Sequence, residues 1–187
     1  LQTGGGYNPE NDGWRTISNT GGGILPEGRF SHAAANITDN MCIFWGGMGV
    51  DELVNPLGDG GCYNTDSDSW TTMSNSGGGD ILSGRAYIES GLNLLNQFCI
   101  WGGLGAGNVR LNNGACYSLR NDNWLPISNF GGGYIPSGRY RAFSGVIDNR
   151  MVIWDGIGST GQLDTGGIWT PDFKNDGATT ESSKGCS

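Results

Sequence analysis

Five cysteines and one histidine are the scarce reactive side chains of this 187-residue chain, and the cysteines carry a pattern. Cys62 and Cys116 each stand one residue before a tyrosine, Tyr63 and Tyr117, while Cys42 and Cys99 lie in short apolar runs that end in Trp45 and Trp101. A third run of the same kind has Val152 and Ile168 near those places. Cysteines that come and go together within related segments predict two disulfides, Cys42–Cys62 and Cys99–Cys116, across adjacent strands. The offsets differ, however: Cys42 is three residues before Trp45 and Cys99 is two before Trp101. Strand side chains alternate faces, so without a bulge only one pair has the right orientation, and a buried thiol is the alternative state. The spacing matches no Cys-x-x-Cys zinc site, so no metal is assigned. Cys186 is left over near the end of the chain.

His32 could serve as a general base only beside a nucleophile and an orienting carboxylate, and no spacing in the chain supplies them. Its counterparts in the related segments are Ile88 and Ala142, so it reads as a strand residue and no catalytic residue is assigned. The acidic stretches Asn8–Gly13, Asn64–Ser69 and Ser118–Asn123 alternate oxygen side chains, as calcium loops do, but they lack a downstream bidentate Glu and the last contains Arg120. Hairpin turns explain them better. Glycine triplets at 21–23, 77–79 and 131–133 are followed by no helix and accompanied by no Lys, so they read as connectors, and no cofactor is expected. Asn36-Ile37-Thr38 is a glycosylation sequon, expected on a turn between strands.

The elements that must position these residues recur three times. Tyr-to-Trp steps of 7 residues join Tyr7/Trp14, Tyr63/Trp70 and Tyr117/Trp124, and Trp-to-Arg steps of 15 join Trp14/Arg29, Trp70/Arg85 and Trp124/Arg139. Length varies in one place, the loop after each Gly-Gly pair. Short β-branched and aromatic runs bounded by turn residues predict strands, here near 3–8, 14–18, 30–36, 41–46, 61–64, 70–74, 85–93, 98–102, 115–118, 124–128, 139–147, 150–154 and 167–170. No segment shows a helical period.

Four short strands per unit, with Gly-Gly closing the second, a Tyr on the third and a Trp on the fourth, resemble the kelch repeat over residues 4 to about 172. The resemblance implies an all-β fold of β-propeller blades, each of four antiparallel strands. It also implies structural, blade-packing roles for Arg29, Arg85, Arg139, Trp14, Trp70, Trp124, Tyr63 and Tyr117. The third unit departs from the pattern: Asp155 replaces the first glycine of the pair, Trp169 replaces the Tyr, and no Trp follows where the last one belongs. Blade units at about 1–23, 24–78, 79–132 and 133–172, with a polar tail at 173–187, amount to three blades and a leading half-blade. A partial or open propeller is therefore expected, completed by self-association or by further blades of a longer chain.

The net charge of −8 and only ten Lys and Arg argue against nucleic acid as a partner, and no apolar run is long enough for membrane insertion by a helix. The chain begins at Leu1, as expected of a processed product or a section of something longer. Cysteine co-occurrence and the sequon point to an extracellular or cell-surface location. The function expected is that of a non-enzymatic module, a binding or self-assembling structural unit. Protein or glycan ligands would meet the variable loops Met48–Gly60, Leu104–Asn113 and Ile157–Thr165 at the blade ends. The alternatives are the propeller section of a larger carbohydrate-active enzyme or oxidase and, less favoured, an intracellular adaptor.

Overall fold

The structure, a computed structural model, describes residues 3–19, 25–39, 41–49, 55–74, 82–88, 91–127 and 134–171. The chain is all-β: among the described residues the only helical turn is a short 3-10 segment, Ala106–Asn108. A leading hairpin of β1 (Gly5–Asn8) and β2 (Gly13–Thr16) is followed by three blades. The first contains β3 (Arg29–Phe30), β4 (Ala33–Thr38), β5 (Met41–Trp45), β6 (Met48–Gly49), β7 (Gly60–Asn64) and β8 (Ser69–Thr72). The second contains β9 (Arg85–Ala86), β10 (Leu92–Leu94), β11 (Gln97–Trp101), β12 (Leu104–Gly105), β13 (Gly114–Ser118) and β14 (Asn123–Pro126). The third contains β15 (Phe143–Ile147), β16 (Arg150–Trp154), β17 (Ile157–Gly158), β18 (Gly161–Gln162) and β19 (Gly166–Trp169).

Each blade is an antiparallel meander: β4-β5-β7-β8 in the first, β10-β11-β13-β14 in the second, and β15-β16-β19 in the third. Two-residue turns at Leu95-Asn96 and Asp148-Asn149 join the first two strands of the later blades, all four residues in the left-handed region that suits the twist of a tight hairpin. The expected strands across 30–36, 85–93 and 139–147 are each interrupted. Ser31, Tyr87 and Arg141 take φ of 54°, 55° and 53°, and this left-handed residue breaks the extended run between the Gly-Arg edge and the following strand. The edge pieces pair instead with the chain just after the Gly-Gly turn, β3 with β6 and β9 with β12, a pairing that sequence periodicity does not reveal.

The core lies between blades. Ile43, Trp45 and Cys62 of the first blade pack against Phe98, Ile100, Ala115, Tyr117 and Trp124 of the second. Leu92, Leu94, Cys99 and Cys116 of the second then meet Met151, Ile153 and Trp169 of the third. Each blade thus has a front face toward the next blade and a back face, carrying the repeat aromatics, toward the one before. Backbone bonds seal these contacts at matching places. Gly47 N–H donates to Arg85 C=O and Gly103 N–H to Arg139 C=O. Arg85 N–H donates to Leu57 C=O and Arg139 N–H to Leu111 C=O. Tyr87 N–H donates to Ser31 C=O and Arg141 N–H to Tyr87 C=O. The three blades form an open arc.

Candidate functional site

The blade ends that carry the Gly-Gly loops are the part of the molecule where a fixed frame meets varied side chains. The frame is built on the repeated arginines. Arg85 is fully buried; its Nε donates to Ser83 C=O at 3.2 Å, and its Nη1 donates to Gly102 C=O at 3.1 Å and Asn113 C=O at 2.9 Å. Arg29 makes the same set to Glu27, Gly46 and Asp59, and Arg139 the same set to Ser137, Asp155 and Thr165. Each guanidinium therefore ties the end of the second strand to the start of the third across the variable loop. Burial lowers the pKa of Arg85 to about 10, which leaves it charged at neutral pH. These arginines are committed to carbonyls of their own blade, as their recurrence at one spacing suggests.

The repeat tyrosines pin the acidic turns. Tyr63 donates its hydroxyl to Asp68 Oδ1 at 2.5 Å, Tyr7 donates to Asp12 Oδ1 at 2.8 Å, and Tyr117 makes the same bond to Asp122. The Tyr63 bond comes first among the causes that hold the Asp68 carboxyl below its usual range, with the Ser18 N–H next. The same carboxylates receive the connector of the preceding unit: Ser18 N–H donates to Asp68 and Ser74 N–H to Asp122. In this way the acidic turns act as structural joints between units. Trp70 adds a bond from Nε1 to Ser18 C=O and stacks at a tilt on Tyr63, while Trp124 packs on Tyr117, Trp45 and Phe98. Trp14 meets Tyr7 on the exposed leading hairpin.

The two cysteine pairs part company. Cys99 stands directly opposite Cys116 and the two are bridged. Cys42 and Cys62 are not bridged to each other, which corrects the expectation of two disulfides. Cys42 pairs with Tyr63 and Cys62 with Ile43, so the two side chains lie on opposite faces of the first blade. The difference of one residue in the distance to the strand-ending Trp decides the outcome. Cys42 instead donates its Sγ to Asn36 Oδ1 at 3.0 Å, and burial pushes its thiol pKa up. Asn36 is exposed but lies within β4 and not on a turn, opposite Cys42 beside a register shift. Cys186 and the glycine triplets lie outside the described residues.

His32 sits against Phe44, ring centroids 5.8 Å apart, with its Nδ1 buried and without a partner among the described residues. Desolvation first and the nearby Arg29 charge second lower its pKa. No three of His, Cys, Asp and Glu come together as a metal site among the described residues.

At the boundary of the second and third blades the frame displays a row that sequence reading missed. The guanidinium of Arg110 lies 5.8 Å from the centre of the Tyr140 ring, Tyr140 is 5.9 Å from Tyr87, and Arg141 lies 5.1 Å over Tyr87. Stacking of this kind holds arginines at a protein surface in fixed orientations. A shallow cleft beside them is lined by Trp101, Arg139 and Ser144. The signal was present in the repeat: Tyr87 and Arg141 replace Ser31, and Tyr140 replaces Phe30 and Ala86, so aromatic and cationic side chains appear where the units differ. No protein-family model matches the chain, and no curated protein matches it.

Proposed function

We propose that the chain is an extracellular, kelch-like β-propeller module that catalyses no reaction of its own and works as a binding or self-assembling unit. Protein or glycan ligands engage its blade-end loops. The observation that carries this reading is the division of labour among the arginines. Arg29, Arg85 and Arg139 are used by the frame, whereas Arg110 and Arg141 lie on aromatic rings at the rim, beside the variable loop of the second blade. Ring faces and stacked guanidinium groups suit the apolar faces and carboxylates of acidic sugars or peptides. The Cys99–Cys116 bridge supports an oxidising compartment, and among the described residues no helix is long and apolar enough to cross a membrane.

The test is direct binding of the purified chain to an array of sialylated, sulfated and neutral glycans and acidic peptides. The double variant Arg110→Ser, Arg141→Ser serves as control. Binding by the wild type that falls at least roughly tenfold in the variant, with unchanged circular dichroism, is expected. No binding above background, or turnover of a glycan by the chain alone, would overturn the reading.

A further inference from the structure

The front face of the third blade repeats two interfaces that are filled inside the molecule, yet none of the described residues covers it. Ile168 and Ile147 occupy the places of Cys116 and Leu94, which the third blade covers to 1% and 0% exposure; Ile168 is 65% exposed and Ile147 58%. Trp154, at the place of Trp101, and its cross-strand neighbour Phe143 are 52% and 58% exposed. These side chains lie on one face of β15-β16-β19, with Val152 opposite Ile168 and with Arg150, paired to Asp148, opposite Ile147 at one edge.

The backbone repeats the same vacancy. At both internal interfaces the second glycine of the Gly-Gly turn donates to the next blade's Arg C=O, the following Leu C=O accepts that Arg N–H, and the left-handed residue accepts a bond from its successor. On the third blade these groups are Gly156 N–H, Leu163 C=O and Arg141 C=O, and among the described residues none has a partner. The matching groups stand at the other end of the arc. Among the described residues, Arg29 N–H and C=O and Ser31 N–H lack the preceding-blade partners that Arg85, Arg139, Tyr87 and Arg141 have. Beside them, Phe30 is exposed and Phe44 only half-buried. The leading hairpin reaches the outer turn of the first blade, through Arg15 to Thr65 and Ser18 to Asp68, and leaves this inner half open.

We propose that the front face of the third blade docks the back face of the first blade of a second copy, in a head-to-tail contact. It takes the place of one more blade-to-blade interface. Such a heterologous contact closes a ring or propagates, according to the rotation it imposes. The contact is weaker than the internal ones for two reasons. Asp155 replaces the glycine at which a Cβ would come 2.6 Å from the next Arg C=O in the first blade and 2.9 Å in the second, so the incoming Arg29 carbonyl must shift. Also, β1 and β19 hold the same place in the repeat, so the incoming hairpin is displaced outward. The inference rests on the blade reading of the chain but not on loop binding, and the single variant Arg110→Ser, outside the docking face, should associate like the wild type.

The experiment is sedentation of the whole chain by analytical ultracentrifugation at rising concentration, with substitutions only at exposed positions. Wild type is expected to associate reversibly at high micromolar concentration. Ile168→Lys on the trailing face and Phe30→Lys on the leading face should each weaken association roughly tenfold or more. Mixing the two variants should restore a one-to-one dimer, because one intact pair of complementary faces remains. Asp155→Gly should tighten association several-fold by removing the Cβ. A wild type monomeric throughout, a Phe30→Lys protein that associates normally, a mixture that stays monomeric, or an Asp155→Gly protein that binds no more tightly would each overturn the proposal.

Discussion

Arg85 has no exposed surface, yet among the described residues it meets carbonyl groups and no carboxylate: Ser83, Gly102 and Asn113 accept from it. Removing it takes the donor from a buried Gly102 carbonyl and from two partly buried carbonyls, and each buried unsatisfied group costs about 1–3 kcal/mol. Arg85→Met is therefore expected to destabilise the fold by about 3 kcal/mol or more in urea unfolding. Arg15→Ala, which breaks a half-exposed pair with Asp68, should cost under about 1 kcal/mol. Equal effects from the two would contradict the roles given to these arginines. His32 supplies a pH prediction. Its folded-state pKa is lowered by burial and by Arg29, so below its ordinary value the unfolded chain binds a proton that the folded chain does not. Stability should fall as pH drops below about 6.5, and the decline should stop once pH passes the folded value. No other histidine exists to contribute, so His32→Gln should flatten the thermal midpoint between neutral and mildly acid pH. The fixed Trp-to-Arg spacing made the arginine role legible in the sequence. The unpartnered Nδ1 of His32 was not, because it depends on the packing of Phe44 from a neighbouring strand.

At the scale of strands, a single residue of offset separates a bridged pair from an unbridged one. Peptide mapping without reduction should recover Cys99 joined to Cys116 and no peptide joining Cys42 to Cys62, and a recovered Cys42–Cys62 peptide would mean that the register of β5 against β7 is wrong. Loss of the Cys99–Cys116 bridge by double substitution to Ala should cost about 2–4 kcal/mol, measured by thermal unfolding. The objection to two disulfides could be read from the sequence, since it needs only the alternation of side chains. The edge pieces β3, β6, β9 and β12 could not, because their partners are chosen by a left-handed turn and by the reach of the arginines, not by local hydrophobic period. Gly102 links the two scales. It holds φ of +72° with the Arg139 carbonyl close to where a Cβ would stand, so Gly102→Ala should destabilise by about 1–3 kcal/mol, whereas Asp155 already tolerates a side chain at the matching place on the uncovered blade.

For the molecule as a whole, three units with the same hydrogen bonds at the same places pack in series, their internal faces filled and, among the described residues, their end faces uncovered. The recurrence of Gly-Arg, Gly-Gly, Tyr and Trp made the repeat and the four-strand meander of the first two blades readable, but not the edge pieces or the three-stranded meander of the third. The rim of Arg110, Tyr140, Tyr87 and Arg141 was not, because those residues lie far apart in the chain and meet only when two blades pack. The blade-to-blade bonds hold this arrangement together, and backbone hydrogen exchange read residue by residue by NMR tests them most directly. In the Ile168→Lys chain, kept dilute so that it is monomeric, the amides of Gly47, Arg85, Gly103 and Arg139 should be as protected as those of the central strands, while those of Arg29 and Gly156 exchange rapidly. If Gly47 and Gly103 exchanged as fast as Gly156, the blades would not be joined as described.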